Sequence, residues 1–548
     1  MRLNFGTVKI ILRKILMNKT KLNNLVVVTF LVTSVFYTSC KDKEIIKTES
    51  TKIYTNASST TGEGAEKLME FAPPTENPYT ISNMQRALDT LSMQIKSKSD
   101  LKFFDIRTTH KYIKFKPQDS LQLWALNSDT TLILFDYPLD RKIAHAGTYY
   151  RDPSVPEGQP NFQWTAVPVD KKLPEGIPFE VLEELYIPEE DQKLVPYYNT
   201  LIDDHITELT DIALKITGNF DSTEMKEVAE EDIRYKWRRR SKWNPSGRIQ
   251  MWDDALRANR PIKGCQVRAR RWFTMRSMYT NSNGEFWTPH QFRRDVNYSV
   301  KWDRNDFEIR HKRTGQAYFN GPKIKGAWNL TITSGYSRMY AIIHRAAHRY
   351  YYEGPAARAG LRTPPKKNTM LGKVTIGAFH WQNTSILGRC NMFNRWTTGP
   401  EIKIFHPQNN CEQLFATTIH ELAHSSHWNL SSHSDYNQAD GPVKEGWARG
   451  VQWAITRLEY SNYQGGGVNR PNYTEVVMDM IDTRAMEIFP GNTGWNIWEG
   501  DSVSSYTIRQ IENSLVGERD WDDWKDAIKD DHNNATENEL DELFDNWD

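Results

Sequence analysis

From residue 75 onward the apolar positions fall into short stretches whose period changes along the chain. Ile81, Met84, Leu88, Leu91 and Ile95 recur at steps of three and four, one face of a helix, and Ser82 with Gln85 predicts a capping box at its start. Residues 112–115, 131–137 and 164–169 are rich in β-branched and aromatic side chains punctuated by Pro and Asp, which predicts strands. Leu201, Ile206, Leu209, Ile212 and Ile216 predict a further helix, and the helical reading runs on to about Ala258. Residues 261–310 are short alternating segments broken by Asn283-Gly284, a hairpin-turn signal, and predict a small β-sandwich. Beyond it come a helix over 336–352, a strand over 374–379 and an alternating segment at 401–405. A buried helix over 415–428 follows, then a periodic run from Glu445 through Trp453, Ile455 and Leu458, and a helix-like stretch at 503–515. The fold class is multidomain α+β.

Composition narrows the possibilities. The 548 residues carry 70 Lys+Arg against 69 Asp+Glu, so no net charge draws the chain to nucleic acid. Residues 234–242 place Arg238, Arg239 and Arg240 between Trp237 and Trp243, a pattern that suits a single strand or an anionic glycan but reads better as a solvated linker face. A mean hydropathy of −0.68 excludes a polytopic membrane protein. Four cysteines exclude a disulfide scaffold, whereas 12% aromatic residues suit several packed cores.

Residues 25–37 are uncharged but too short to span a bilayer. Lys9, Arg13, Lys14, Lys19 and Lys21 precede them, Met17 offers an alternative start, and Thr38-Ser39-Cys40 follows. This resembles the signal and lipobox of Bacteroidetes lipoproteins, with Tyr37 in place of the usual aliphatic residue, and Lys41-Asp42-Lys43-Glu44 resembles their surface-export tags. The resemblance implies a cleaved signal over 1–39, lipid on Cys40 and an outer-membrane or cell-surface location; the plainer alternative is an ordinary signal peptide. The polar stretch that follows reads as a tether over 40–74.

The chemistry lies in His420-Glu421-Leu422-Ala423-His424. Histidines four apart share a helix face and can present two imidazoles to one metal ion, and Glu421 can take a proton from water beside it. Ala416, Ile419, Leu422 and Ala423 suit a buried site helix, and the alternation at 401–405 suits an exposed edge strand for a peptide substrate. Gly and His do not follow the motif where metzincins carry them: the residues there are His427 and Leu430. Glu445, on the next periodic run, stands where gluzincins carry their third ligand. The last 230 or so residues therefore resemble a gluzincin-type zinc metallopeptidase. The resemblance implies Zn2+ held by His420, His424 and Glu445, Glu421 as general base, and an oxyanion donor from the C-terminal half. Tyr506 is the candidate for that donor, with Tyr460, Tyr463, Tyr473 and His532 competing. Two features depart from the pattern: the interval to Glu445 is slightly long, and Arg449 replaces a supporting Asp.

Residues 261–267, 280–286 and 298–302 resemble the transthyretin-type carboxypeptidase-regulatory-like domains, and residues 134–140 resemble an N-terminal module of Bacteroidetes surface lipoproteins. The domain boundaries are then 75–200 for an N-terminal mixed module, 201–258 for a helical linker, 259–312 for the sandwich and 313–548 for the zincin-like domain.

Other candidates carry less. His344 and His348 repeat the i, i+4 spacing around Arg345, whose charge repels a metal, so a backing helix is the reading. His427 and His433 read as solvent-facing, and His380 as near the cleft. Cys390 and Cys411 could pair or remain buried thiols, with Cys265 left over. The expectation is a lipid-anchored zinc metallopeptidase acting on a protein or peptide. The alternatives are an inert lipoprotein that binds a protein or glycan, and another metallohydrolase.

Overall fold

The computed structural model describes residues 68–95, 101–145, 150–220, 242–313, 315–365, 373–380, 387–391, 400–406, 410–465, 472–482 and 502–547. The signal, Cys40, nearly all of the tether and residues 234–241 lie outside them. What is described is a mixed α and β fold with five sheets. None of its helices is long and apolar enough to cross a membrane.

Helix α1 (Ile81–Gln94) is capped by Thr80, whose side chain accepts from the Asn83 N–H, so the cap precedes the expected box. Strand β1 (His110–Phe115) is followed by helix α2 (Ser120–Ser128) and by strands β2 (Gln163–Pro168) and β3 (Phe179–Leu185). The three strands form an antiparallel sheet with β1 at its centre. Met84 and Leu91 of α1 join Ile206 and Leu209 of helix α3 (Thr200–Ile216) in one core.

The strand expected over 131–137 is absent; only Phe135 bridges to Trp164. Beyond that bridge, side chains meet its carbonyls where a ladder would: the Asp136 carbonyl accepts from Asn161 Nδ2 at 2.7 Å. Arg268 donates to the Leu134 carbonyl at 3.2 Å and Arg270 to the Leu139 carbonyl at 3.4 Å, and both lie over the Phe135 ring. These arginines come from the next module, so the N-terminal part is bonded to it through buried groups.

The helical reading fails after α3. Residues 246–253 form strand β4 (Ser246–Asp253), with Ile249 and Met251 fully buried between more exposed neighbours, a period of two. Then come β5 (Ala258–Pro261), β6 (Gln266–Arg271), β7 (Thr274–Tyr279), β8 (Glu285–Trp287) and β9 (Val296–Lys301). Strand β10 (Phe307–His311) and the short β11 (Gly315–Gln316) leave this layer, and β12 (Tyr318–Ile324) and β13 (Trp328–Ile332) return to it. One sheet runs β8-β4-β13 with β5 on β4, and the other runs β12-β9-β6-β7. Tyr298 of β9 stacks on Trp328 of β13 at 5.3 Å, joining the two. The β layer therefore extends beyond the expected 259–312 at both ends.

Helix α4 (Gly335–Tyr352) crosses to β14 (Val374–His380), then β15 (Gly388–Cys390) and β16 (Ile402–His406). The resulting sheet has the order β11-β10-β14-β16-β15. Its three central strands are parallel, with Ile309 beside Ile376 and Gly377 beside Lys403. Helices α5 (Cys411–Leu430), α6 (Gly441–Arg457) and α7 (Val476–Ile481) complete the part that carries the candidate site.

Candidate metal centre

Helix α5 starts at Asn410, whose side chain accepts from the Gln413 N–H at 3.1 Å. Every residue from Leu414 to Trp428 is buried, because α4, α6 and strands β15 and β16 all pack against it. Helix α6 approaches α7 so closely that a Cβ on Gly450 would overlap the Val477 side chain.

His420, His424 and Glu445 converge as a group able to hold a metal ion. The two Nε2 atoms are 3.2 Å apart, and Glu445 Oε2 lies 3.2 Å from His420 Nε2 and 3.5 Å from His424 Nε2. Ligand atoms about 2.0–2.1 Å from a tetrahedral ion are separated by roughly 3.3–3.4 Å, so the three edges match one face of such a shell. All three residues are buried. Burial opposes ionisation of Glu445, but the charge of His424 and the hydrogen bonds from both histidines outweigh it and hold the carboxyl well below its usual range.

A second layer orients His420. Its Nδ1 lies 3.1 Å from Gln452 Oε1, and Gln452 Nε2 donates to the Tyr463 hydroxyl at 2.8 Å. As placed, Gln452 Oε1 faces the ring and Nε2 faces Tyr463; an oxygen there suits Nδ1–H, which would leave the Nε2 lone pair for an ion held by the three residues. Gln452 lies two turns beyond Glu445 on the same helix. That spacing was the available signal for a residue the sequence reading missed. Arg449, on the intervening turn, donates to Glu475 at 3.3 Å and faces the Tyr473 ring.

Glu421 is buried beside its neighbour His420, and strand β15 passes directly over it: a Cβ on Gly388 would overlap the carboxylate. The edge strand is therefore β15. The 401–405 segment, expected at the edge, is interior, with β14 on one side and antiparallel β15 on the other. Residues 388–390 (Gly-Arg-Cys) are too few to carry a period, and strand order is set by long-range pairing, so sequence alone does not tell which segment is outermost.

Tyr506 is not hydrogen-bonded to the group. Its N–H donates to the Met480 carbonyl at 2.9 Å, and its buried hydroxyl has no partner among the described residues. Burial and the neighbouring Glu537 push that phenol up to about 12, so it stays a donor. Only residues 508–513 of the expected 503–515 helix are helical. Tyr473 lies nearly parallel to the His420 ring at 6.4 Å; Tyr460 donates to Asp253 and His532 meets the Gln510 carbonyl.

His427 does not face solvent; it is fully buried against Tyr436, and burial lowers its pKa to about 3. A helix covered on all sides offers no solvent face. The His433 side chain lies outside the described residues. His380 is buried at the end of β14, against Tyr336. His344 lies within hydrogen-bonding distance of the Lys263 carbonyl at 3.0 Å, and Arg345 pairs with Asp253 at 3.0 Å, so α4 is a backing helix.

Asp253, Asp254 and Cys411 form a second cluster of ligand-type atoms. Protein cations already occupy it: Arg345 on Asp253, and Arg338 on both Asp254 and the Cys411 sulfur. Burial, aided by Asp254, pushes the Cys411 thiol up to about 12, so it does not supply a thiolate. Cys265, Cys390 and Cys411 are all buried, and no disulfide joins them.

No protein-family model matches this chain, and no curated protein matches it significantly.

Proposed function

We propose that the chain is a zinc-dependent metallopeptidase that hydrolyses peptide bonds in proteins or peptides and is displayed by lipid on Cys40 at the outer membrane or cell surface. The observation that carries the reading is the triangle of His420, His424 and Glu445 with Glu421 next to it in sequence, held under an edge strand. Two imidazoles, one carboxylate and a spacing suited to bonds near 2 Å favour zinc over hard cations, which prefer all-oxygen shells. Zinc bound there supplies a Lewis acid that polarises the scissile carbonyl and acidifies water.

The chain's own groups do the rest. Glu421 takes the proton from the attacking water and passes it to the leaving amine. Strand β15 offers main-chain groups along which an extended peptide pairs. Tyr506, protonated and without a partner, donates to the developing oxyanion. The polar tether over 40–74 holds the folded part off the membrane, the N-terminal module is a structural or docking part, and the transthyretin-like β layer is a spacer or stabilising one.

The test is cleavage of an unfolded casein by the purified chain, abolished by a chelator and restored by zinc. Glu421→Gln should retain zinc and fold while hydrolysis falls by about 10²–10⁴, the worth of a positioned general base. Wild-type turnover no higher than that of the glutamine variant overturns the peptidase reading.

A further inference from the structure

We propose that Gln452, oriented by Tyr463, is a positioning residue that sets the tautomer of His420 and thereby the affinity of the centre for its metal. The inference rests on the zinc reading above and adds to it the group that tunes the site.

The argument runs outward from the ring. His420 is buried, so water does not satisfy its Nδ1. Gln452 Oε1 at 3.1 Å does so, and it fixes the proton on Nδ1 only while the amide keeps this orientation. A rotated amide would present Nε2, a donor, to the ring and draw the proton to the metal-facing nitrogen. In the observed orientation Nε2 instead donates to the Tyr463 hydroxyl at 2.8 Å. Both side chains come from the α6 end of the site: Gln452 lies within that helix, and Tyr463 lies in the turn beyond it.

The chemistry of the acceptor matters as much as its place. A carboxylate there would carry charge toward the imidazole and make it a stronger donor to the metal. A carboxamide fixes the ring without adding charge. The centre then holds its ion less tightly than a carboxylate-backed one, with a more electrophilic metal.

The test is zinc affinity, measured by competition with a fluorescent chelator, for wild type, Gln452→Leu, Gln452→Glu, Tyr463→Phe and His424→Ala. Unfolding midpoints in excess chelator check each variant's fold without metal. Gln452→Leu should weaken zinc about 10–100-fold, the usual cost of losing such an outer partner. Tyr463→Phe should weaken it by less, and Gln452→Glu should bind tighter than wild type, a rescue that mere packing would not produce. Leucine and phenylalanine variants that bind as tightly as wild type overturn this inference alone. If Gln452→Leu does not fold, Tyr463→Phe and Gln452→Glu decide it, and wild-type affinity in both overturns it. Wild-type affinity in His424→Ala overturns the zinc reading and this inference together.

Discussion

Gly388 and Glu421 stand so close that a β-carbon on the first would occupy the space of the second's carboxylate. The absence of a side chain on the edge strand is thus part of the site. It lets β15 pass over the motif helix and places main chain next to Glu421.

Gly388→Ala should therefore displace Glu421 without touching the three ligands. Zinc content should remain at the wild-type level, while casein hydrolysis falls about 100-fold, toward the loss expected for removing the base. Metal analysis beside turnover separates this outcome from a general loss of fold. Full activity in the alanine variant would show that the strand yields.

Helix α6 meets α7 through Gly450, with no room for a methyl against Val477. Gly450→Ala should lower stability by about 1–3 kcal/mol through overpacking. Adding Val477→Ala should recover part of that, since the two positions share one space. Urea unfolding of the singles and the double, in chelator, measures the coupling.

His344 is fully buried and neutral, its pKa lowered to about 3 mainly by burial, with His348 adding to it. The unfolded chain binds a proton near pH 6.5 and the folded one does not until about pH 3. Stability is therefore complete above pH 6.5 and falls as the pH drops toward 3, by about 1.4 kcal/mol per pH unit from this group. His344→Gln should flatten the pH slope of the unfolding free energy between pH 6 and 5 by that amount. An unchanged slope would place the acid sensitivity elsewhere.

Localisation has its own test. Cys40→Ala should move the protein from the membrane fraction to the soluble one, because the 25–37 stretch is too short to anchor it. A variant that stays in the membrane fraction at the wild-type level would remove the lipid from the reading.

What the sequence made legible was local. His420, His424 and Glu421 lie within one helical turn or so, so helix geometry alone brings the two histidines together, whereas Glu445 follows only from the resemblance to gluzincins, because its approach depends on how α6 packs on α5. Gln452 needed the same geometry carried two turns further. Gly388 did not follow from any local rule, because its role depends on which strand is outermost, and sheet order is a long-range property. The same holds for residues 131–137, apolar enough for a strand but met at the Leu134 carbonyl by Arg268, more than a hundred residues away in the chain. Residues 246–253 differ for another reason: Ile249 and Met251 alternate, but the period of α3 is strong enough to predict helix across them. A solvent-facing His427 requires α5 to have a wet side, and packing from all directions removes it.

The parallel pairing of β10 with β14 also bears on when the site comes into being. Ile309 and Ile376 are about 70 residues apart in the chain, and such non-local pairings form slowly because the intervening chain must be ordered first. Strand β15 packs on α5 directly and pairs with β16, which in turn lies on β14. The helices that carry the three ligands have no such requirement, being neighbours in sequence. A chain still folding would thus bring His420, His424 and Glu445 together by local helix pairing before the long-range pairing of β10 with β14 completes the sheet beside them.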